Sequence, residues 1–238
     1  MKSTPFLIAV IAVLASPLSL QAAENPWYVG VNISSVDLDD IDSQSTSPVA
    51  GVTRNLNIGT DSETGFGIKI GKTVHSSAAG ELDIELNYAQ SDHDVEAIDF
   101  LGNPFTGDAA EGELEVESLL LRAAYKFSTG GVVKPYVGLG IGITDLSVDA
   151  RYGGSIGSAS QTTPPFATGS DNAFAIEARV GADWSVSDAI SLFAEYSFTD
   201  VSDIQFERLG GGPGGLAETT QESDFDFEAV TVGINFRF

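Results

Sequence analysis

The last ten residues, Ala229 to Phe238, alternate without a miss: Val230, Val232, Ile234, Phe236 and Phe238 fall on one face, Ala229, Thr231, Gly233, Asn235 and Arg237 on the other. A period of two is the period of a β-strand, so the stretch predicts a strand with one apolar side and one polar or small side. The pattern recurs, predicting eight segments: Trp27 to Val36, Thr64 to Val74, Glu81 to Ser91, Glu117 to Phe127, Val132 to Leu146, Ala173 to Trp184, Ile190 to Thr199 and Phe227 to Phe238. Three of the gaps, His75 to Gly80, Ser128 to Gly131 and Ser185 to Ala189, are short. The other four each hold more than twenty residues rich in Gly, Ser, Thr, Pro and Asp. An even strand count, with turns short at one end and long at the other, predicts an all-β fold: an eight-stranded antiparallel transmembrane β-barrel with short periplasmic turns and four long extracellular loops. A soluble sandwich has no reason to alternate its turn lengths so strictly.

Within each segment the large apolar residues keep one parity, as in Leu82, Ile84, Leu86 and Tyr88, or Leu119, Leu121, Ala123, Tyr125 and Phe127. This face is assigned to lipid. Two aromatic belts follow: Trp27, Tyr125, Phe127, Trp184, Phe236 and Phe238 at the short-turn end, and Phe66, Tyr88, Phe174, Tyr196 and Phe198 at the long-loop end.

The beginning of the chain has a different character. Lys2 precedes an apolar run from Phe6 to Leu14, then come small residues and Leu20-Gln21-Ala22-Ala23. This reads as a secretory signal peptide over residues 1–22, cleaved after Ala22 or Ala23, with the barrel in residues 23–238. The sequence has 238 residues and no cysteine, so it carries no disulfide framework and no lipoprotein anchor. No later run approaches the ~20 apolar residues of a transmembrane helix.

Pro26-Trp27-Tyr28-Val29-Gly30, Lys134-Pro135-Tyr136-Val137-Gly138-Leu139-Gly140-Ile141-Gly142 and the terminal Phe238 together resemble the eight-stranded OmpA-type outer-membrane β-barrel family, the porin-like outer membrane protein β-barrel domain. The resemblance implies a place in the outer membrane and contact with its lipid and lipopolysaccharide. Phe236 and Phe238 resemble the signal read by the barrel assembly machinery. Members of such a family range from adhesins to anchors and small pores, so the resemblance carries fold and not activity. The peptidoglycan-binding domain of the founding family has no counterpart after the eighth strand, so no cell-wall tether is expected.

The opposite parity points into the barrel. It carries Lys69, Arg122, Lys126, Arg179 and Arg237 against Asp83, Glu85, Glu177, Asp183 and Glu195. An eight-stranded barrel is just wide enough for its side chains to fill, and equal numbers of opposite charges predict a salt-bridged plug; a selective pore favours one sign. Inward glycines, among them Gly30, Gly71, Gly138 and Gly181, leave room for the long side chains. The glycine run 138 to 142 sits mid-strand with no following helix, unlike a phosphate loop.

The formal net charge of −23 belongs to the long connections. Residues 39–63, 91–117, 145–173 and 200–226 hold 5, 9, 3 and 7 acidic residues against Arg54, Arg151 and Arg208. Such a field excludes nucleic acid as a partner and fits divalent cations, basic partners, or simple solubility and repulsion. Asp92-His93-Asp94-Val95-Glu96 and Asp37 to Asp42 are the densest oxygen clusters, and neither has the glycine and closing glutamate of a calcium loop. No metal, cofactor or catalytic residue is assigned. Of the two histidines, His75 lies in a short turn and His93, flanked by Ser91 and Asp94, is the one candidate for lipid A chemistry. The expected role is structural, adhesive or surface-interacting through the acidic loops, the alternatives being a narrow porin-like channel and, less favoured, a lipid A-modifying enzyme.

Overall fold

Alternation places every second side chain on one face, and a sheet built from such strands can satisfy its backbone within a membrane only by closing on itself. The computed structural model describes residues 27–46, 53–100, 103–106, 110–152, 166–212 and 215–238. The predicted signal segment, 1–22, and its cleavage site lie outside them. All regular elements described are strands: β1 (Trp27–Leu38), β2 (Ile41–Thr46), β3 (Thr53–Thr60), β4 (Glu63–Ser76), β5 (Gly80–Phe100), β6 (Asn103–Thr106), β7 (Ala110–Phe127), β8 (Val133–Tyr152), β9 (Phe166–Ser185), β10 (Ile190–Gly212) and β11 (Gly215–Arg237).

Eight of these form an antiparallel ring in the order β1, β4, β5, β7, β8, β9, β10, β11, and β1 pairs back onto β11 from Tyr28↔Arg237 to Leu38↔Phe227. Phe238 adds a clasp, its N–H donating to the Trp27 carbonyl at 3.1 Å. The turns at the short end are tight; in the one between β7 and β8, Gly130 takes φ 73°, a left-handed conformation that glycine adopts without cost.

The other end differs from the expected loops. β5 runs on to Phe100, β7 begins at Ala110, β8 reaches Tyr152, and β10 and β11 stay paired up to Gly212↔Gly215. The strands continue because the alternation inverts its phase without losing its period. In β7 the outward residues are Leu119, Leu121, Ala123, Tyr125 and Phe127 near the short-turn end, but Glu111, Glu113, Glu115 and Glu117 beyond it, where Leu114 and Val116 turn inward and are buried. In β11 the outward set changes from Val232 and Val230 to Glu228, Asp224 and Glu222, with Phe225 buried inside. Apolar-out becomes polar-out where hydrocarbon gives way to water. The apolar stretch of β7 is about nine residues, the length a tilted strand needs to cross a bilayer. Above that level the barrel is built as a water-soluble one, around a core that includes Leu38, Ile41, Ile58, Ile98, Leu146 and Ile204.

Two breaks mark the same height. β1 gives way to β2 at Asp39–Asp40, and β3 to β4 at Asp61–Ser62, so that β2 and β3 take over the ring positions of β1 and β4 in the upper wall.

Candidate functional site

Neighbouring inward positions at the short-turn half carry the charges, and the register sets them at two levels. Nearer the short turns, Lys126 on β7 bridges Asp83 on β5 at 2.9 Å and Asp183 on β9 at 3.2 Å. Arg237 on β11 reaches the other oxygen of Asp183 at 3.7 Å, and is the most exposed member of the set. One level up, Arg179 on β9 meets Glu85 on β5 at 2.6 Å, Glu195 on β10 at 3.2 Å and Glu177 at 4.0 Å. Arg122 on β7 is paired with Glu177 and lies 3.4 Å from Glu195, while Lys69 on β4 lies 3.6 Å from Glu85. The ten predicted interior residues therefore fall into two ion-paired groups, four nearer the short turns and six above them. Nine of them are buried, so each carboxylate depends on its cations rather than on water.

Three aromatic residues complete this network, and Tyr28 joins its two levels. The Tyr28 hydroxyl donates to Glu85 at 2.5 Å and also lies 3.1 Å from Asp83, Tyr136 donates to Glu195 at 2.7 Å, and Lys69 Nζ sits 3.6 Å from the Phe193 ring centre. Each ring lies over a glycine directly across the ladder: Tyr28 over Gly71, Tyr136 over Gly181 and Phe193 over Gly233. A methyl group at those glycines would come within 2.4, 2.6 and 2.5 Å of the respective ring carbons. The aromatic-on-glycine pair is the signal that finds these residues, but reading it requires the cross-strand register.

Above the charges the lumen changes twice. First comes a cavity of about 40 Å³ whose walls include Ser91, Ser118, Ser197, Thr199 and Thr231, with Arg122 and Glu177 at its floor and Leu120 and Phe227 on its apolar side. Asn87 Oδ1, Thr199 Oγ1 and Arg122 Nε border it without protein partners. It is polar enough and large enough for on the order of three waters. Then the apolar core fills the upper barrel, and near its far end Arg208 is held 3.9 Å over the Phe100 ring and bonded to the Tyr152 hydroxyl.

His93 is fully buried in this upper wall, with Nε2 2.9 Å from Ser91 Oγ and Nδ1 3.3 Å from the Asp61 carbonyl oxygen. The pair has the geometry of a hydroxyl and its base, but both groups face inward, away from the lipid leaflet. His75 is exposed at the short-turn end.

On the outside, Trp27, Phe66, Phe127, Phe174, Trp184, Tyr196 and Phe198 are exposed, and Tyr88 and Tyr125 are half-buried. Phe236 and Phe238 lie at the β11 end, also half-buried. Immediately above the upper belt, carboxylates face one another across the ladder: Glu117↔Asp145, Glu113↔Asp149 and Asp94↔Glu113, and on the far side Asp200↔Asp226 and Asp37↔Glu228. Like charges in opposed positions destabilise a sheet unless something compensates. Part of the compensation is local, since Tyr88 donates to Glu117 at 2.7 Å and Gln90 to Glu115 at 2.8 Å. The rest appears as proton affinity. Partial burial, followed by the charges of Asp92, Glu117, Glu113 and Asp145, pushes the Glu115 carboxyl up; partial burial, then Glu117 and Asp171, raises Asp145. No group of three or more acidic or histidine side chains among the described residues is placed as a metal cage.

A family model described as "Outer membrane protein beta-barrel domain" matches residues 6–238. The chain belongs to that family. It is an outer-membrane β-barrel protein, and solved barrels share its shape. OprG from Pseudomonas aeruginosa is similar at 19% identity and a TM-score of 0.62, over 90% of this chain and 96% of that one. The outer membrane protease OmpT from Escherichia coli is similar at 7% identity and 0.61, over 90% and 97%, and a major outer membrane protein from Thermus thermophilus at 14% and 0.54, over 89% and 99%. At these identities the likeness concerns fold alone. Comparison with curated proteins gives no match.

Proposed function

We propose that this barrel is a closed anchor that does not conduct and whose acidic upper wall is the working surface, in a structural or adhesive role. The observation that carries the reading is the double closure of the lumen, by a buried salt-bridged layer below and an apolar core above. Lipid and lipopolysaccharide surround the belts, and the ring of carboxylates lies at the height where a leaflet of anionic headgroups would need divalent cations between itself and the protein. Basic partners are attracted to the same wall and nucleic acid is repelled. Phe236 and Phe238 serve the assembly machinery. Lipid A chemistry gains no support from Ser91 and His93, which face the interior. A narrow channel for small solutes is the second reading, favoured by the hydroxyl-lined cavity directly above the charges.

The test uses proteoliposomes loaded with a small fluorescent solute. They are expected to retain it, and to adhere to a polylysine surface in a salt-sensitive way that weakens in Glu113→Gln/Glu115→Gln/Glu117→Gln. Rapid leakage would favour the channel, and adhesion indifferent to the triple variant would remove the wall from its role.

A further inference from the structure

The upper wall is not sewn equally all round. β1 and β11 pair continuously up to Leu38↔Phe227, and β10 and β11 remain paired to Gly212↔Gly215, but β2 and β11 share a single ladder pair, Glu222↔Gln44. Side chains hold the rest of this seam among the described residues. Ser223 Oγ donates to the Asp42 carbonyl at 3.0 Å, and Ser43 Oγ lies 3.3 Å from Gln221 Oε1 while donating to the Leu56 carbonyl at 2.9 Å. Behind the seam lie Ile41 and Phe225, both buried in the upper core.

At the lower end of the seam the chain breaks at Asp39–Asp40, and the Asp39 N–H donates to the Asp226 carbonyl at 3.1 Å, which brings the two aspartates together across the joint. We propose that the β2–β11 seam is a proton-sensitive joint in the extracellular wall, closed while the Asp226 carboxyl beside Asp39 is protonated and parted when it is ionised.

The surrounding charge supports this. Burial first, then the hydrogen bond and charge of Asp39, then Asp200 on β10 and Glu228 on β11, raise the Asp226 carboxyl. Asp37 at the end of β1 stands opposite Glu228 and adds to the same field. The remaining carboxylates at the seam are turned elsewhere: Asp42 accepts from Asn57, Asp224 from the Asp203 N–H and Glu222 from Gln205, and Asp40 lies beside Gly59. Every titratable neighbour named is acidic, so losing the Asp226 proton leaves repulsion at the joint. A carboxyl raised in the closed state contributes closure that is complete at low pH and is lost as pH rises through its closed-state value. An equivalent contact lies at the second break, where Glu96 on β5 is raised by its hydrogen bond to Asp61 and then by the Asp61 charge.

The chain contains no cysteine, so a single introduced thiol reports the seam without interference. Ser43→Cys is refolded in detergent and labelled with a neutral maleimide at pH 7.4, alone and combined with Asp226→Asn or Asp39→Asn, whose amides imitate the protonated partner. Labelling is expected to be rapid in the parent and clearly slower with either amide. It is expected to be unchanged with Asp92→Asn, a carboxylate remote from the joint. Equal labelling in all four proteins, fast or slow, overturns the proposal. If Ser43→Cys fails to fold, amide hydrogen exchange at residues 42–44 and 221–224, compared at one pH between the natural chain and Asp226→Asn, gives the same decision: slower exchange in the variant supports the joint, and equal exchange refutes it.

Discussion

Arg179 is the residue on which the charge layer most depends. Its side chain is fully buried, and its guanidinium lies 2.6 Å from Glu85, 3.2 Å from Glu195 and 4.0 Å from Glu177. Arg179→Met keeps the length of the side chain and removes its charge. Glu195 and Glu177 retain Arg122, and Glu85 retains Lys69 at 3.6 Å, so no carboxylate is left alone but the layer carries one uncompensated negative charge. At an effective dielectric of about 20, one charge pair at about 4 Å is worth about 4 kcal/mol, and breaking a buried pair from one side typically costs about 3–5 kcal/mol. The expected loss is therefore about 3–5 kcal/mol if the layer stays dry, and less if water enters from the cavity beside Arg122. Arg179→Met/Glu85→Gln restores the charge balance and should recover a large part of it. Urea unfolding in detergent, followed by the fluorescence of Trp27 and Trp184, gives the four corners of the cycle. Additive effects with a coupling below about 0.5 kcal/mol would refute the reasoning and describe a solvated lumen.

Further outcomes follow from other parts of the barrel. Gly71→Val or Gly181→Val forces a side chain into the ring of Tyr28 or Tyr136, and an overpacking cost of about 1–3 kcal/mol is expected in the same urea assay, whereas Gly131→Val in an exposed turn should cost less. Phe238→Ala removes a half-buried aromatic worth at most about 1.5–3 kcal/mol, and should reduce assembly in cells more than it reduces the stability of barrel refolded in detergent; normal cellular assembly would remove the signal role. Because Glu115 and Asp145 bind protons more tightly in the folded wall than in the unfolded chain, their contribution is full at acid pH and is lost as pH rises through the raised values. The urea midpoint of the natural protein should thus fall, relative to that of Glu115→Gln, as pH rises above the ordinary carboxyl range; parallel profiles would contradict this.

The eight membrane-crossing strands were legible because the lipid face is chemically uniform: Leu119, Leu121 and Val137, Leu139, Ile141 need only be outward and apolar, whatever lies beside them. The upward extensions were not. Their glycines, serines and acids look like loop composition, and a search keyed to outward aliphatics stops where Glu117 replaces Leu119, although the period of two carries on with its phase reversed. The inward charges show in the parity opposite to the apolar face, since lysine, arginine and glutamate have no other reason to alternate with leucine. Tyr28, Tyr136 and Phe193 stayed hidden, because an aromatic side chain suits lipid as well as lumen until the glycine opposite it is known. Individual ion pairs depend on the stagger between strands, which brings Lys126 on β7 to Asp183 on β9 across the lumen and leaves no trace in spacing along the chain.

Single-channel recording of the refolded protein in a planar bilayer tests the central claim most directly. A lumen closed by ion pairs below and by apolar side chains above should give no unitary current steps at ordinary salt, and Arg179→Met should give at most brief openings. Stable steps from the natural protein that scale with salt concentration would contradict the closed anchor and make the barrel a channel.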